Sequence, residues 1–264
     1  MGTTYASTRA SGTPGRPRSA DLAELSVVIA TKNDAKVLER CLASLHTVVL
    51  PAAISAEVLI VDDSSSDETV EVAAELSQRY PEVHMRVLQR SRANPGFGAL
   101  VRYGIAHATG RYCVLVAPDG TDPVELIPAM VAELRAGKQM VICSRYLTSA
   151  GGASVSRRYR LYQRVYRRAI RLLLGREITD STNGFRAFDR VFMQAIGLSS
   201  NRFSVCPEMT FKTILAGGQI GYLAGQPLPA PGAGAEKFKL SNEIAGYAAV
   251  LVRAFLHRAG LRWF

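Results

Sequence analysis

Three clusters of carboxylates and amides stand directly behind short apolar runs in this 264-residue chain. Asn33-Asp34 follow Leu25–Thr31. Asp62-Asp63, with Ser64-Ser65-Ser66-Asp67 behind them, follow Glu57–Val61. Asp119-Gly120-Thr121-Asp122 follow Tyr112–Val116. A carboxylate at such a position can accept from the two hydroxyls of a ribose or from the N–H edge of a base, and short serines let the backbone turn sharply. The same residues also serve as N-caps and turn formers, so each cluster read alone is ambiguous. Asp122, next to Pro123, has the position of an N-cap. The histidines (His46, His84, His107, His257) and the cysteines (Cys41, Cys113, Cys143, Cys206) lack metal-ligand spacing, and each cysteine lies in an apolar or helical stretch, as a buried free thiol does.

The elements that must position these groups follow from periodicity. Leu25–Thr31, Glu57–Val61, Val83–Leu88, Tyr112–Val116 and Met140–Cys143 are predicted strands. Helices are predicted between them, with apolar residues such as Val37, Leu38, Cys41, Leu42 and Leu45 at spacings of three and four. The Gly-rich stretch from Asn94 to Gly98 opens one helix, and Pro123–Arg135 is another with proline in its first turn. Strand and helix alternating in this way predict a doubly wound, mostly parallel α/β sheet, in which ligands bind beyond the carboxyl ends of the strands. After residue 145 the alternation lapses. Ser156–Leu174 is a strongly basic helix, Gly184–Phe188, Glu208–Ala216 and Gln219–Leu223 suggest a small C-terminal annex, Pro227–Ala235 is a Pro/Gly/Ala loop, and Leu240–His257 is a last apolar helix. The expected organisation is a disordered basic arm over 1–24, a catalytic domain over 25–240 and a C-terminal amphipathic helix over 241–264.

The ordered set of motifs resembles the polyprenyl-phosphate branch of family 2 glycosyltransferases, the dolichol-phosphate mannose or glucose synthase type, over roughly residues 25 to 250. Besides the strand-end carboxylates it comprises Gly96-x-Gly98-Ala99 with Gly104 and Gly110, then Ala117-Pro118-Asp119-Gly120-Thr121-Asp122-Pro123. Ser144-Arg145-Tyr146, Asp180-x-Thr182-x-Gly184-Phe185-Arg186-Ala187-Phe188, Pro207-Glu208-Met209, Gly218-x-x-Ile220 and Gly234-x-x-Lys237-Phe238 follow. The resemblance implies a GT-A, Rossmann-like fold, an NDP-sugar donor across the first four strand ends, and Mg²⁺ or Mn²⁺ at Asp119. It further implies an acceptor phosphate whose oxygen displaces the diphosphate. Thr31, Asn33, Asp34, Asp62, Asp63, Gly98 and Asp119 are then the nucleotide-sugar residues, and Arg145, Arg158, Arg186 and Lys237 hold phosphates, for which a guanidinium fork is suited. Asp119, Arg186 and Glu208 are the expected catalytic groups, Glu208 being the base if the acceptor is a hydroxyl.

The chain departs from the family pattern at the metal loop, where the first aspartate corresponds to Ala117. It departs again at Gly225-Gln226, where an acidic residue is absent, and at Pro229–Gly232, where an arginine is absent. A soluble hydroxyl or amine acceptor and a non-catalytic homologue are the alternatives this leaves. Charge adds a partner. With 32 Lys+Arg and 22 Asp+Glu the net charge is 32 − 22 = +10. Seven arginines and no acid lie between Arg157 and Arg171, alongside Leu161, Tyr162, Val165, Tyr166, Ala169, Ile170 and Leu173. Such a helix is expected at an anionic membrane surface, and Arg253, Arg258, Trp263 and Phe264 repeat the combination near the end of the chain. No helix-turn-helix, zinc or RRM signature supports nucleic acid. With no run of 18 uncharged apolar residues no spanning helix is expected, and the scattered thiols suit a reducing, cytoplasmic compartment, with peripheral attachment at the inner membrane face.

Overall fold

The computed structural model describes residues 23–49, 54–90, 95–147, 157–225, 239–261 and 264. The arm over residues 1–22, Lys237 and the Pro227–Ala235 loop lie outside the described residues. In chain order the elements are β1 (Leu25–Thr31), α1 (Ala35–Val49), β2 (Ala56–Asp62), α2 (Thr69–Arg79), β3 (His84–Gln89), α3 (Phe97–His107) and β4 (Tyr112–Val116). A 3₁₀ turn (Val124–Leu126), α4 (Ile127–Arg135), β5 (Met140–Ser144), α5 (Arg157–Leu174), β6 (Arg186–Asp189), α6 (Arg190–Ile196), α7 (Val205–Leu215), β7 (Ile220–Ala224) and α8 (Leu240–Leu256) follow. The expected strands stand within one or two residues of these bounds. The Pro123 helix is split, because Pro128 in the first turn of α4 starts the helix afresh after the 3₁₀ turn.

Among the described residues, seven strands form one sheet in the order β3-β2-β1-β4-β6-β5-β7. All pairings are parallel except those of β6, which runs antiparallel to both β4 and β5. The supposed annex is therefore part of the main sheet. β6 lies inside it between β4 and β5, with Ala187 and Phe188 fully buried, and β7 forms its edge beside β5. Alternate residues of each strand point to opposite faces. Val27, Ile29, Val58, Ile60, Val114 and Val141 pack under α1, α2 and α4. Val28, Leu59, Val61, Cys113, Leu115 and Ile142 pack against α3, α6 and α7. Gly104 lets α3 approach β1, since a Cβ there would collide with the side chain of Val28. All four cysteines are buried free thiols, and burial pushes those of Cys113 and Cys143 up to about 12.

A third cluster joins α5, α7 and α8 through Tyr166, Ile170, Leu174, Phe211, Tyr247, Val250 and Leu251. Two expectations change here. The inward face of α5 is Tyr159, Gln163, Tyr166, Ile170 and Leu174, so the apolar residues grouped together from the sequence divide: Tyr166 and Ile170 pack inward, while Leu161 and Val165 are exposed. The stretch Leu240–Leu261, with mean hydropathy 1.2 over a membrane-length window, is long and apolar enough to cross a membrane by length and composition. Glu243 and Arg253 interrupt the apolar run without lowering that average enough to disqualify it. In the structure α8 packs on its neighbours, and Glu243 is buried against Arg202 at 2.8 Å.

Among the described residues Arg186 is the largest fully buried side chain. Its Nε donates to the Asn183 carbonyl at 3.0 Å, Nη1 to the Cys206 carbonyl at 2.6 Å and to Thr210 Oγ1 at 3.1 Å, and Nη2 to the Ser181 carbonyl at 3.1 Å. The guanidinium thus ties β6 to α7 and to the turn before it, and it does not reach a strand-end ligand. The role expected for it as a phosphate and catalytic residue is corrected to a structural one. Arg186→Met leaves several buried carbonyls without donors and is expected to cost about 3–5 kcal/mol of stability, as breaking a buried charged network does. Urea unfolding measures it, and an unchanged midpoint would contradict the assignment.

Candidate functional site at the strand ends

β2, β1 and β4 are neighbours, so their carboxyl ends bring Asp62-Asp63, Asn33-Asp34 and the Ala117–Asp122 loop to one rim of the sheet. The first two turns are stitched together. Asn33, in the left-handed conformation at φ 55°, donates its N–H to Ser65 Oγ at 2.9 Å and accepts from the Ser66 N–H at 2.8 Å. Asp34 accepts from the Lys32 N–H at 2.9 Å, and its own N–H donates to Thr69 Oγ1 at 2.8 Å. Thr31 is buried, with its hydroxyl on the Val61 carbonyl at 3.3 Å. Asp62 accepts from the Ser65 N–H at 3.0 Å and from the Ser65 hydroxyl. Thr31, Asn33, Asp34 and Asp62 therefore shape the rim.

Asp63 is different. It is buried, yet its oxygens face two cations, Arg90 at 3.3 Å and Lys32 at 3.4 Å. Both distances exceed the 2.7–2.9 Å or so of a tight charge-assisted bond, so this carboxylate retains capacity to accept from a ligand hydroxyl or N–H. Sequence reasoning passed over both cations. Lys32 was legible in Thr31-Lys32-Asn33-Asp34, while Arg90 becomes visible once β3 is known to lie beside β2.

Across the rim, Asp119 Oδ1 accepts from the Thr121 N–H at 3.1 Å and the Thr121 hydroxyl at 2.7 Å, and the carboxylate is half-buried. Asp122 does not cap the following turn. Its Oδ2 accepts from the Ala117 N–H at 2.7 Å, closing the loop on itself. Burial, with Asp119 as a further negative neighbour, pushes its carboxyl up to about 7. Ala117, Asp122, Asn183, Phe97 and Phe203 line a cavity of about 160 Å³ beneath the ends of β1 and β4. A larger cavity of about 300 Å³, lined by His46, Tyr80, Glu82 and His84, lies at the amino ends of β2 and β3. That is the wrong end for a ligand of such a sheet.

The remaining expected residues are engaged by other parts of the chain. Arg145 grips Asp180 bidentately, Nε to Oδ2 at 2.7 Å and Nη2 to Oδ1 at 2.9 Å, with Thr182 Oγ1 at 2.9 Å from Nη2. Burial alone would raise the Asp180 carboxyl, but Arg145 and the backbone N–H groups around it hold it below the ordinary aspartate value. Arg145, expected to hold a phosphate, follows β5 with its charge paired to Asp180. Glu208, in the first turn of α7, accepts from the Ser199 N–H and hydroxyl and the Ser200 N–H, each at 2.8 Å, and pairs with Lys212 at 3.1 Å. Burial opposes ionisation there, yet the Ser199 and Ser200 donors keep the carboxyl below the usual glutamate range. A fully buried, fully engaged carboxylate is no base, so Glu208 is a loop anchor. Gly98 is corrected likewise. Its N–H donates to the Asn201 carbonyl at 2.8 Å, and a Cβ would run into the carbonyls of Ser200 and Arg202. The start of α3 is covered by the 200–202 backbone. Arg158 is exposed in the first turn of α5.

A divalent cation at this rim would meet one side-chain carboxylate, that of Asp119. Among the described residues no group of three or more His, Cys, Asp or Glu converges, and Asp122 is turned inward to Ala117. Asp119 fits a cation whose other ligands are diphosphate oxygens and water, and no fuller cage.

A mostly parallel sheet with one antiparallel insertion, and carboxylates at the ends of its first, second and fourth strands, defines the GT-A glycosyltransferase class of fold. The model of glycosyl transferase family 2 matches residues 26–197, and the chain belongs to that family. It is 28% identical over 196 residues to a dolichol-phosphate mannosyltransferase of Pyrococcus furiosus, the match covering 72% of this chain and 53% of the relative. It is 30% identical over 177 residues to a polyprenol monophosphomannose synthase of Mycolicibacterium smegmatis, covering 66% of this chain and 64% of that one. The chain thus spans about half to under two thirds of the length of these relatives. The structure of glucosyl-3-phosphoglycerate synthase from Mycobacterium tuberculosis with Mn²⁺, UDP and phosphoglyceric acid superposes with a TM-score of 0.65 at 19% identity, covering 94% of this chain and 86% of that one, a likeness of fold.

The raised carboxyl of Asp122 has a pH signature. Its folded-state value of about 7 lies above the ordinary 3.8, so the native state holds a proton that the unfolded chain releases. Its contribution to stability is lost as pH rises through that window, and the penalty is complete above pH 7. Asp122→Asn keeps an acceptor for the Ala117 N–H and removes the penalty. The variant is expected to be about 1–3 kcal/mol more stable than the wild type near pH 8, with the gap closing toward pH 4. Urea unfolding of both proteins across that range measures it, and a pH-independent gap would contradict the shift.

Proposed function

We propose that the chain transfers a sugar from a nucleotide-diphosphate donor to a polyprenyl phosphate at the cytosolic face of a membrane. The observation that carries the donor half is the arrangement of Asp63, between Arg90 and Lys32, on the same rim as Asp119. Asp63 accepts from the ribose or base, and Asp62 fixes the loop that presents it. Lys32 and Arg90 hold the Asp63 carboxylate in place from two sides. Asp119 is the residue that would hold Mg²⁺ or Mn²⁺, and when bound the cation supplies charge neutralisation for the departing diphosphate. A phosphate acceptor is already anionic at neutral pH, so the absence of a base role for Glu208 is consistent with such an acceptor. Arg158, Lys237 and the rim face of Arg145 are the proposed acceptor cations.

The acceptor half is supported by the names of the Pyrococcus and Mycolicibacterium relatives and by the exposed, arginine-rich face of α5. The four buried thiols suit a reducing cytoplasm. A second reading, a small soluble acceptor, is favoured by the fold likeness to a synthase crystallised with phosphoglyceric acid. Turnover with UDP-, GDP- and dTDP-sugars, with and without EDTA, tests the donor half. Adding either a short-chain polyprenyl phosphate or a soluble phosphorylated acid separates the two acceptors. No donor consumption with any pair would overturn the reading.

Asp63→Ala is expected to weaken nucleotide binding more than tenfold, since a charge-assisted bond contributes about 1.5–3 kcal/mol. Unchanged affinity in calorimetry would remove Asp63 from the site. Ala117→Asp is expected to tighten Mn²⁺ binding to the nucleotide-loaded protein by adding a hard oxygen ligand beside Asp119. Equal Mn²⁺ affinity in the two proteins would mean that this loop does not face the cation.

A further inference from the structure

The second half of α5 carries a site that sugar transfer at the rim does not use. Arg164, Arg167, Arg168 and Arg171 line a concavity of about 250 Å³ whose other wall is Glu177, Ile178 and Thr179. These arginines stand three and four residues apart, a spacing at which like charges oppose helix formation. Among the described residues none of the four is ion-paired with a carboxylate. Two polar atoms of the site, Arg167 Nε and Thr179 Oγ1, are buried with no hydrogen-bond partner among the described residues. Cations held in register around unfilled donors describe a receptor for a multiply liganded oxyanion.

What flanks the cations decides what carries that anion. Leu161, Val165 and Leu172 are 59%, 57% and 83% exposed. At 3.6 residues per turn they fall within roughly 40° of one another, directly beside the arginine row. Exposed aliphatic side chains gain nothing from a free phosphate ion, and a nucleic acid strand would call for aromatic stacking platforms instead. Alongside lipid they enter the acyl boundary while the arginines stay at headgroup depth.

We infer that the arginine concavity of α5 is a binding site for the phosphate of an anionic phospholipid headgroup, with Leu161, Val165 and Leu172 embedded beside it. The site is separate from the donor rim but adjoins it. The Arg167 guanidinium lies 4.8 Å from the centre of the Tyr146 ring, and that of Arg145 lies 5.6 Å from the same centre. A headgroup held there sets the protein on the bilayer with the end of β5 close to the surface. This places the membrane attachment that the acceptor reading above requires, and it rests on that reading only for its purpose.

The test is co-sedimentation with vesicles of phosphatidylcholine alone or with phosphatidylglycerol added, on the wild type, Arg164→Gln/Arg168→Gln/Arg171→Gln, and Leu161→Ser/Leu172→Ser. Wild-type protein is expected to bind only the phosphatidylglycerol vesicles. Both variants are expected to bind them more than tenfold more weakly, with circular dichroism and nucleotide affinity unchanged. The arginine variant should also lose most of the salt dependence, because screening acts on those charges. Calorimetry with inorganic pyrophosphate and with a single-stranded oligonucleotide supplies the competing occupants. Tight wild-type binding of either that the arginine variant loses and the leucine variant keeps, without vesicle binding, would overturn the lipid assignment. So would vesicle binding indifferent to both variants. Because nucleotide affinity is read separately, loss of the donor reading would show there and not in the vesicle assay.

Discussion

The bidentate pair between Arg145 and Asp180 is the constraint on which the acceptor side of the molecule depends. Arg145 directly follows β5, and Asp180 lies in the segment that leads from α5 back to β6. Around the pair, Thr182 Oγ1 receives the Arg145 Nη2 at 2.9 Å and the Gln163 amide at 2.7 Å, and it lies 3.0 Å from the Tyr159 hydroxyl. One buried charge pair thus fixes strand, helix and return segment together. Removing either partner would strand the other charge away from water, which costs far more than a surface pair contributes. α5 is held to this pair through Tyr159 and Gln163, and to α7 and α8 through Tyr166, Ile170 and Leu174.

The donor side is organised by a different economy of charge. Asp62 is bound by serine donors from its own loop, Asp122 by the Ala117 N–H, and Asp34 by the Lys32 N–H. Asp63 faces the cations Lys32 and Arg90 at the looser distances of 3.4 and 3.3 Å, and Asp119 is half-buried with Oδ1 on Thr121. Backbone N–H groups and short hydroxyls thus hold most of the rim carboxylates in place, and cations hold Asp63.

Much of this was legible in the residues. β1 and β4 stand as expected from Leu25–Thr31 and Tyr112–Val116, because a strand buried on both faces is a short apolar run with polar residues at its end. The strand-end clusters were legible for the same reason. The place of β6 was not, since its four residues gain their position from partners about 45 and 70 residues away in the chain, and local pattern carries no record of pairing. Arg186 and Glu208 show a second limit. Residue type announces a charge, but whether it faces a ligand or the interior depends on what folds over it. For Arg186 that is the carbonyls of Ser181, Asn183 and Cys206, and for Glu208 the N–H groups of Ser199 and Ser200.

The antiparallel insertion of β6 also sets an order on synthesis. β1 to β4 can pair as they leave the ribosome, since each has its neighbour upstream in the chain. β5 cannot join them, because its contact with β4 runs through a strand made more than forty residues later. Until β6 emerges, β4 presents an open edge and β5, with its fully apolar Met140–Cys143, has no sheet to enter. The half-made chain is therefore a four-stranded sheet trailing an unpaired apolar segment and a cationic helix, and β5 joins it only when β6 is seated between β4 and β5, before β7 adds the edge.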